Sequence, residues 1–409
     1  MLLAFRLLCF AAAVAGVCAA PALEFDRAAP RPQRFNTSRK IVRGAINVHL
    51  QPHSHNDLGW LKTFDEYIIG RNNTIQAAGV RWIYDSVVSS LARDPNRRFI
   101  SVEMGFLMRW LDTQLPDVVD AVKALVAADQ LQLINAGWAM GDEAVVSFSD
   151  EVDQMTLGAR LVSRTFGAAA ASRIAWSIDP FGHSAATASH LTAGMGMSAL
   201  FYGRTDFQEA AWRASNNATE YIWRGSRSLG SAAQIFAGLN AHGYDPPSLT
   251  DSAHPIFEWD IEADDCNHPP SLFGPFQPFA DFDGYNVALY VNATIAIAEK
   301  QAANILADAD GTKHIAFQMG TDFNYMQAEM WFSQIDGLIH FVNQNQTRVN
   351  LLYSTPREYA DAKLAQDTAW PLKPAATPDG LSTDQFPYVN IARTWHVARG
   401  NSRPGNSPL

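Results

Sequence analysis

The feature that most constrains the fold is the alternation of short apolar runs with amphipathic helical patterns along most of the chain. Between the runs, apolar residues recur every three or four positions, as expected for helices packed on one face. Strands that are apolar throughout and separated by helices predict a parallel sheet covered on both faces. The β-rich runs are 45–52, 97–104, 131–137, 173–179, 197–203, 313–320 and 348–354, and the predicted helices are 74–93, 116–128, 150–166, 185–195 and 325–343.

This order of elements predicts an α/β fold, specifically a closed or nearly closed, TIM-like β/α barrel of seven parallel strands. A doubly wound open sheet is the alternative. The alternation breaks between about 205 and 310, in a stretch rich in Pro, Gly, Asn and aromatic residues that predicts long loops. We therefore assign residues 44–364 to the barrel, 21–43 to an N-terminal extension and 365–409 to an irregular tail.

The N-terminus and the glycosylation sequons indicate the secretory pathway. Residues 1–20 have the layout of a signal peptide, with one Arg, an apolar stretch and small residues before the expected cleavage near Ala20. Two of the three cysteines lie within this segment, so only Cys266 is expected in the mature chain, which excludes an internal disulfide and a thiolate zinc cluster. Five acceptor sequences for N-glycosylation begin at Asn36, Asn72, Asn217, Asn292 and Asn345.

Composition excludes several classes of partner. The formal net charge is −10 and no long basic run is present, so binding to nucleic acid or to an anionic membrane surface is not expected. No segment after the signal peptide is long and apolar enough to predict a membrane span. With 47% hydrophobic residues the chain can bury a sizeable core. A homo-oligomer is compatible with this composition.

Side chains suited to metal binding are concentrated where the first apolar run ends, in HLQPHSHNDLGW at 49–60. His53, His55 and Asp57 alternate, so an extended backbone would point all three to one side. Asp179 ends the fourth run, and Pro180 disfavours a helical conformation there. The carboxyl ends of parallel strands meet at one edge, where active sites form. Imidazole and carboxylate donors together predict a divalent metal, either Zn²⁺, Co²⁺ or Mn²⁺.

A collinear set of sequence blocks resembles the class II α-mannosidases of glycoside hydrolase family 38, most closely their lysosomal type. The resemblance runs from about residue 44 to residue 360. It implies a zinc-dependent retaining α-mannosidase that hydrolyses terminal α-D-mannose from N-glycan oligosaccharides, in the lumen of a lysosome or vacuole or outside the cell. The blocks are HSHNDLGWLKTFDEY, AGVRWIYDSV, DPNRRFISVE, NAGWAMGDEA, VDQMTLGARLV, AWSIDPFGHS, FYGRTDF, MGTDFNY and LLYSTP.

The resemblance also implies roles for individual residues. His55, Asp57 and Asp179 would hold one zinc ion, and Asp179 would also be the catalytic nucleophile. Asp260, in FEWDIEADDC, would be the general acid/base. The residues matching positions that line the mannose pocket are Trp60, Phe181 and Arg204.

Three further histidines have expected roles outside the ligand set. His53 has no ligand role in the family and is expected to form a hydrogen bond behind the site. His49 lies within the first strand and is expected to be a satisfied core residue. His183, four positions after Asp179, is expected to support the site through a hydrogen bond.

The sequence departs from the family pattern after TDQFPYV. The family's zinc site has a fourth ligand, a His in a Q-H-H-D-x-V-x-G-T block, and this sequence contains no such block. The given sequence does not continue into the helical and β-sandwich domains that the resemblance implies, so we expect the tail to be a truncated or frame-shifted end. The alternatives are therefore a catalytically inactive fragment that retains glycan binding, and a zinc-dependent carbohydrate deacetylase on a similar barrel.

Overall fold

The computed structural model describes residues 35–143, 146–248, 256–257, 259, 273–277 and 284–375. The expected signal peptide, Cys266, Asp260 and the tail from 376 onward lie outside these residues. Within the described part, no helix is long and apolar enough to cross a bilayer.

Each of the seven apolar runs contains a strand, and each of the five helical patterns contains a helix. The strands are β1 Ile46–Pro52, β2 Phe99–Ser101, β3 Leu131–Leu133, β4 Ile174–Ser177, β5 Ala199–Tyr202, β6 Glu220–Arg224, β7 Gln234–Leu239, β8 Lys313–Met319, β9 Val349–Tyr353 and β10 Leu372–Lys373. The α-helices are α1 Phe64–Ile69, α2 Val80–Leu91, α3 Met104–Leu111, α4 Pro116–Ala127, α5 Phe148–Phe166, α6 Ala185–Ser189, α7 Phe207–Ser215, α8 Val287–Ala302, α9 Ala328–Asn345 and α10 Pro356–Leu364. A π-helical turn, His190–Gly194, continues α6.

The α/β class is confirmed, but the described strands form three hydrogen-bonded sheets rather than the one seven-stranded ladder that was predicted. Their strand orders are β8-β1-β9, β10-β6-β7-β5-β4 and β2-β3. All pairs are parallel except β6 with β7. The two short strands β2 and β3, of three residues each, pair only with each other among the described strands. Single contacts link the sheets: His53 bridges Ile100, and the N–H of Asn135 donates to the carbonyl of Ile174 at 3.0 Å.

The prediction of long loops between 205 and 310 was wrong for part of that stretch. It contains α7, the antiparallel pair β6–β7 and α8. Tyr221 and Trp223 on β6 alternate on one face and are fully buried, as are Ile235 and Ala237 on β7. Gly and Asn around this hairpin obscured the two-residue alternation in the sequence. Strand β10 lies beyond residue 364 and pairs with β6.

The main core lies between the β8-β1-β9 sheet and the helices α2, α8 and α9. Helix α9 shows how the pattern becomes packing, because its apolar residues at three- and four-residue spacing are all fully buried. Each such side chain contributes roughly 1.5–3 kcal/mol to folding on complete burial. These residues are Trp331, Phe332, Ile335, Leu338, Ile339 and Val342.

The close register of β1 with β8 builds the edge on which the site forms. Pro52 at the end of β1 pairs with Met319 at the end of β8. Gly320 then passes so near β1 that an added Cβ would lie 1.9 Å from the carbonyl oxygen of His53, so only glycine fits. This approach brings the residues that follow both strands side by side.

Candidate active site

His55 is held rigidly by the backbone that follows β8. Its N–H donates to the carbonyl of Thr321 at 3.2 Å, and its own carbonyl accepts from the N–H of Phe323 at 2.9 Å. The residue is 2% exposed, and neither ring nitrogen has a hydrogen-bond partner among the described residues. Carboxylate oxygens lie near both nitrogens without the geometry of a hydrogen bond, so the ring could accept a closer partner.

The structure brings His55, Asp57 and Asp179 together. Nε2 of His55 lies 3.4 Å from Oδ1 of Asp57 and 3.8 Å from Oδ2 of Asp179. Both carboxylates are partly exposed, at 34% and 24% of their side chains, so a ligand can reach them from solvent. Residues more than 120 positions apart in the sequence therefore meet at the ends of β1 and β4.

Arg204 holds the other oxygen of Asp179. Its Nε donates to Oδ1 at 2.9 Å, and Nη2 donates to the same oxygen. Nη2 also donates to the hydroxyl of Tyr244 at 3.3 Å. The guanidinium carbon lies 4.9 Å from the ring centre of Phe181, so two of the residues expected in the pocket, Phe181 and Arg204, lie beside Asp179.

Ionisation in this cluster is controlled by opposing effects. Burial favours the neutral form of Asp179, but the imidazole of His55 and the guanidinium of Arg204 outweigh it and lower the pKa of this carboxyl. Burial disfavours the charged form of His55, yet the carboxylates of Asp57 and Asp179 prevail and raise the pKa of His55 well above its ordinary value. Asp179 is therefore an ionised carboxylate, the form that a nucleophile or a metal ligand requires.

Three further carboxyl groups lie near His55 and Asp179, and their pKa values are raised, so each loses its proton less readily than an ordinary carboxyl. Burial raises the pKa of Glu103 to about 7 and that of Asp322 to about 7, with Asp179 and Asp57 adding to the shift for Asp322. Burial, then Asp179 and Asp57, also raises the pKa of Asp142. Oε1 of Glu103 lies 3.8 Å from Nδ1 of His55. A bound divalent cation would favour the ionised form of these carboxyl groups.

The chemistry of the donors suits a zinc ion, but the described side chains do not converge on one point. No group of three or more His, Cys, Asp or Glu side chains within the described ranges has its donors arranged to hold a metal. Ligands of one tetrahedral zinc lie about 2.0–2.2 Å from it and hence roughly 3.4 Å from each other. The 3.4 Å between His55 and Asp57 agrees with this spacing, and the 3.8 Å between His55 and Asp179 is slightly wider. Nitrogen and oxygen donors without thiolate are among those that zinc accepts.

Comparison with known proteins decides the family. The sequence model of the glycosyl hydrolases family 38 N-terminal domain matches residues 45–390. The chain belongs to glycosyl hydrolase family 38.

Named relatives agree with this assignment. A probable alpha-mannosidase of Arabidopsis thaliana is 44% identical over 376 residues, covering 90% of this family 38 chain and 33% of the relative. The lysosomal alpha-mannosidase of Homo sapiens is 38% identical over 381 residues, covering 92% of this chain and 35% of the relative. The crystal structure of an alpha-mannosidase from Enterococcus faecalis has a TM-score of 0.53 at 19% identity, covering 80% of this chain and 30% of that one. This chain spans about a third of the length of the curated relatives it matches.

Two more residues, Trp60 and Asp260, are expected in the family 38 site. Trp60 is 59% exposed on the turn that follows β1, so its contact with a sugar stays a prediction. Asp260 lies outside the described residues, and its role as general acid/base also stays a prediction. Trp259, immediately before it, is buried and packs edge-on against Trp331, with ring centres 5.4 Å apart.

The three other histidines have contacts that suit their expected roles. Nδ1 of His183 lies 2.9 Å from Oε1 of Glu143, and Nε2 lies 3.2 Å from the carbonyl of Arg204, so His183 joins the loops after β4 and β5. His49 is buried and hydrogen-bonded to Ser354. Nδ1 of His53 lies 3.1 Å from the carbonyl of Gln51.

The sequence analysis did not identify several acidic residues of the site, although the position of two of them after a strand could have indicated them. Glu103 closely follows β2 and Asp322 closely follows β8, the same position relative to a strand that identified Asp57 and Asp179. Applying the strand-end rule to every strand would have found both. Tyr244 follows β7, a strand that the sequence pattern did not reveal, so no signal pointed to it.

Proposed function

We propose that residues 44–364 are the catalytic domain of a zinc-dependent retaining α-mannosidase that releases terminal α-D-mannose from N-glycan oligosaccharides. The observation that carries this proposal is the position of His55 Nε2, between the carboxylates of Asp57 and Asp179. Membership of family 38 and the α-mannosidase names of its relatives support the reaction class.

We also propose that the three sheets form one distorted β/α barrel. The bridge between His53 and Ile100 joins the first sheet to β2, and the hydrogen bond from Asn135 to Ile174 joins the segment after β3 to β4. A shared edge formed in this way explains how the ends of β1 and β4 supply one site.

His55, Asp57 and Asp179 would hold the zinc ion, one per chain. Bound there, zinc would bind sugar hydroxyls and stabilise the local negative charge. The protein's own contribution is the hydrogen-bonded backbone of His55 and the carboxylate of Asp179, which Arg204 holds by the oxygen that does not face His55.

In the proposed reaction, Asp179 is the nucleophile. Its carboxylate oxygen attacks the anomeric carbon, the bond to the leaving oxygen breaks, and Asp260 donates a proton to that oxygen. A water molecule then attacks the glycosyl-enzyme, Asp260 accepts its proton, and Asp179 is released. The ionised state of Asp179 suits it to the first step.

Binding of the sugar would use Trp60 as an apolar platform, together with Phe181 and Arg204 beside Asp179. We place the protein in the lumen of a lysosome or vacuole or outside the cell, as the lysosomal relatives suggest. The exposure of Asn36, Asn72, Asn217 and Asn292 is compatible with glycosylation at these sequons.

The test is hydrolysis of an aryl α-mannoside by the chain of 409 residues, secreted from a eukaryotic host, with and without added Zn²⁺. Asp179→Asn is the matched control, since it keeps the shape of the side chain and removes its charge. We expect zinc-dependent turnover that falls at least about a thousandfold in the variant. The first mannose released should be the α-anomer, as followed by NMR, and release of the β-anomer would contradict a retaining mechanism.

Other outcomes identify the alternatives. Binding of a mannose oligosaccharide without turnover, in either metal condition, would assign the chain as a glycan-binding fragment without activity. Release of acetate from an acetylated glycan would assign a deacetylase.

A further inference from the structure

A buried lysine, Lys62, ties the segment that follows β1 to the loop between α1 and α2. Lys62 is 4% exposed, and its ammonium donates to acceptors in the connection between α1 and α2. The acceptors are the carbonyls of Arg71 at 2.9 Å, Gln76 at 3.0 Å and Ala78 at 2.9 Å, and Oδ1 of Asn73 at 3.3 Å.

The partners of this cation are unusual because all of them are neutral. Within the described ranges, no carboxylate lies at ion-pair distance from Nζ of Lys62. An ammonium has three N–H groups, and the three backbone carbonyls alone suffice to satisfy them. A buried cation without a carboxylate is costly. A lysine at this position therefore indicates that the fold needs its N–H donors, which bind several acceptors of the same loop at once.

Tyr67 links the same loop to the metal-ligand end of the site. Its hydroxyl accepts from the N–H of Leu61 at 3.1 Å and donates to Oε1 of Gln76 at 2.7 Å. Its ring stacks on Phe323 with centres 4.5 Å apart, and the N–H of Phe323 donates to the carbonyl of His55. A continuous series of contacts therefore runs from His55 to the segment 60–62.

Trp60 depends on this segment for its position. Its N–H donates to the carbonyl of Lys62 at 3.3 Å, while its indole is 59% exposed. A side chain with so little packing of its own takes its location from the backbone that carries it.

We infer that Lys62 is a positioning residue: by fastening segment 60–62 to loop 71–78, it sets the place of Trp60 relative to His55 and Asp57, and thereby how tightly the sugar is bound. This inference rests on the proposed function, since it requires a sugar to contact Trp60. The hydrogen bonds of Lys62 Nζ go to loop 71–78, and none of them goes to His55, Asp57 or Asp179.

The test compares Lys62→Met, which keeps the length of the side chain and removes the N–H donors, with Lys123→Met on the exposed surface of α4. The side chain of Lys123 is 45% exposed, so its substitution controls for the loss of a positive charge. For an aryl α-mannoside we expect KM to rise about tenfold or more in Lys62→Met, with kcat within about threefold of the wild type and unchanged zinc content. A KM within twofold of the wild type would overturn the inference, even if the melting temperature fell.

Two further measurements keep the inference testable. If Lys62→Met does not fold, Tyr67→Phe removes only the hydroxyl that joins Leu61 to Gln76, and it should raise KM in the same direction. Hydrogen exchange of the Leu61 amide, which needs no activity, should accelerate at least about tenfold in either variant. Unchanged exchange refutes the fastening. If the Leu61 amide exchanges faster in the variants but the wild type neither binds nor cleaves a mannoside, the proposed function is refuted. The link between segment 60–62 and loop 71–78 is then still established.

Discussion

The two oxygens of the Asp179 carboxylate face different partners: Oδ1 accepts from Nε and Nη2 of Arg204, and Oδ2 lies 3.8 Å from Nε2 of His55. One oxygen is thus fixed by a permanent cation, while the other faces an imidazole that has no hydrogen-bond partner among the described residues. In the proposed function, this division would let Arg204 orient the carboxylate and leave Oδ2 available for a metal ion or for reaction.

Substitution of His55 should remove the metal. We expect His55→Ala to bind zinc more than about a hundredfold more weakly than the wild type, because loss of a direct ligand exceeds the ten- to hundredfold effect of losing an outer partner. Metal content per chain, measured by mass spectrometry after dialysis, checks this. His340→Ala on α9 is the control and should retain the wild-type content.

Zinc should also stabilise the folded chain through the same ligands. Added zinc should raise the melting temperature of the wild type and not that of His55→Ala, since only a ligand that binds the folded state stabilises it. Equal metal content and equal thermal shifts in both proteins would refute the assignment of His55.

Substitution of Arg204 should lower kcat/KM, because Arg204 orients the carboxylate of Asp179 and favours its ionised form. Hydrogen bonds to a charged group contribute about 1.5–3 kcal/mol, so Arg204→Gln should lower kcat/KM about ten- to a hundredfold. Arg204→Lys keeps the charge and loses the planar fork, so an intermediate value is expected. Wild-type kcat/KM in Arg204→Gln would show that this contact has no catalytic role.

Asp260→Asn tests the proposed acid/base. Because a poor leaving group needs protonation most, the variant should slow hydrolysis of a natural mannose oligosaccharide far more than that of an activated aryl mannoside. Its zinc content should equal that of the wild type. If natural-glycan hydrolysis were unaffected, a different residue would be the acid.

The buried pair His49–His314 should make the fold less stable in acid. Nε2 of His49 lies 2.9 Å from Nδ1 of His314, and burial lowers the pKa of His49 well below its usual value and that of His314 to about 4. The neighbouring charges are Lys363 and Arg39 around His49, and Lys363, Asp308 and Asp310 around His314. An unfolded imidazole takes up its proton near pH 6.5, so between about pH 6.5 and 4 the unfolded state binds more protons.

The free energy of unfolding should therefore fall as pH drops through this window, by up to about 1.4 kcal/mol per pH unit for each proton. The free energy of unfolding of His314→Gln, measured by urea denaturation at several pH values, should depend less steeply on pH than that of the wild type. The difference in slope should correspond to at most one bound proton. Identical slopes would show that His314 does not contribute.

Local patterns in the sequence predicted much of the framework. The apolar runs located β1, β2, β3, β4, β5, β8 and β9 because period and β-branched content are properties of a few neighbouring residues. The strand-end rule placed His55, Asp57 and Asp179 at one edge, since parallel strands align their carboxyl ends whatever the loops do. The hairpin β6–β7 was not predicted because its short two-residue alternation lies among glycine and asparagine residues.

The sequence by itself determined the α/β class, the strands β1–β5, β8 and β9, and the placement of His55, Asp57 and Asp179 at strand ends, because each of these follows from residues that are neighbours in the chain. The tertiary structure alone decided that Arg204 holds one oxygen of Asp179, that Glu103 and Asp322 crowd His55, and that Lys62 closes the loop 71–78. These relationships join distant segments and depend on burial. The ionisation of a carboxyl and the partners of a buried ammonium are set by whatever packing brings near them, which no local pattern specifies.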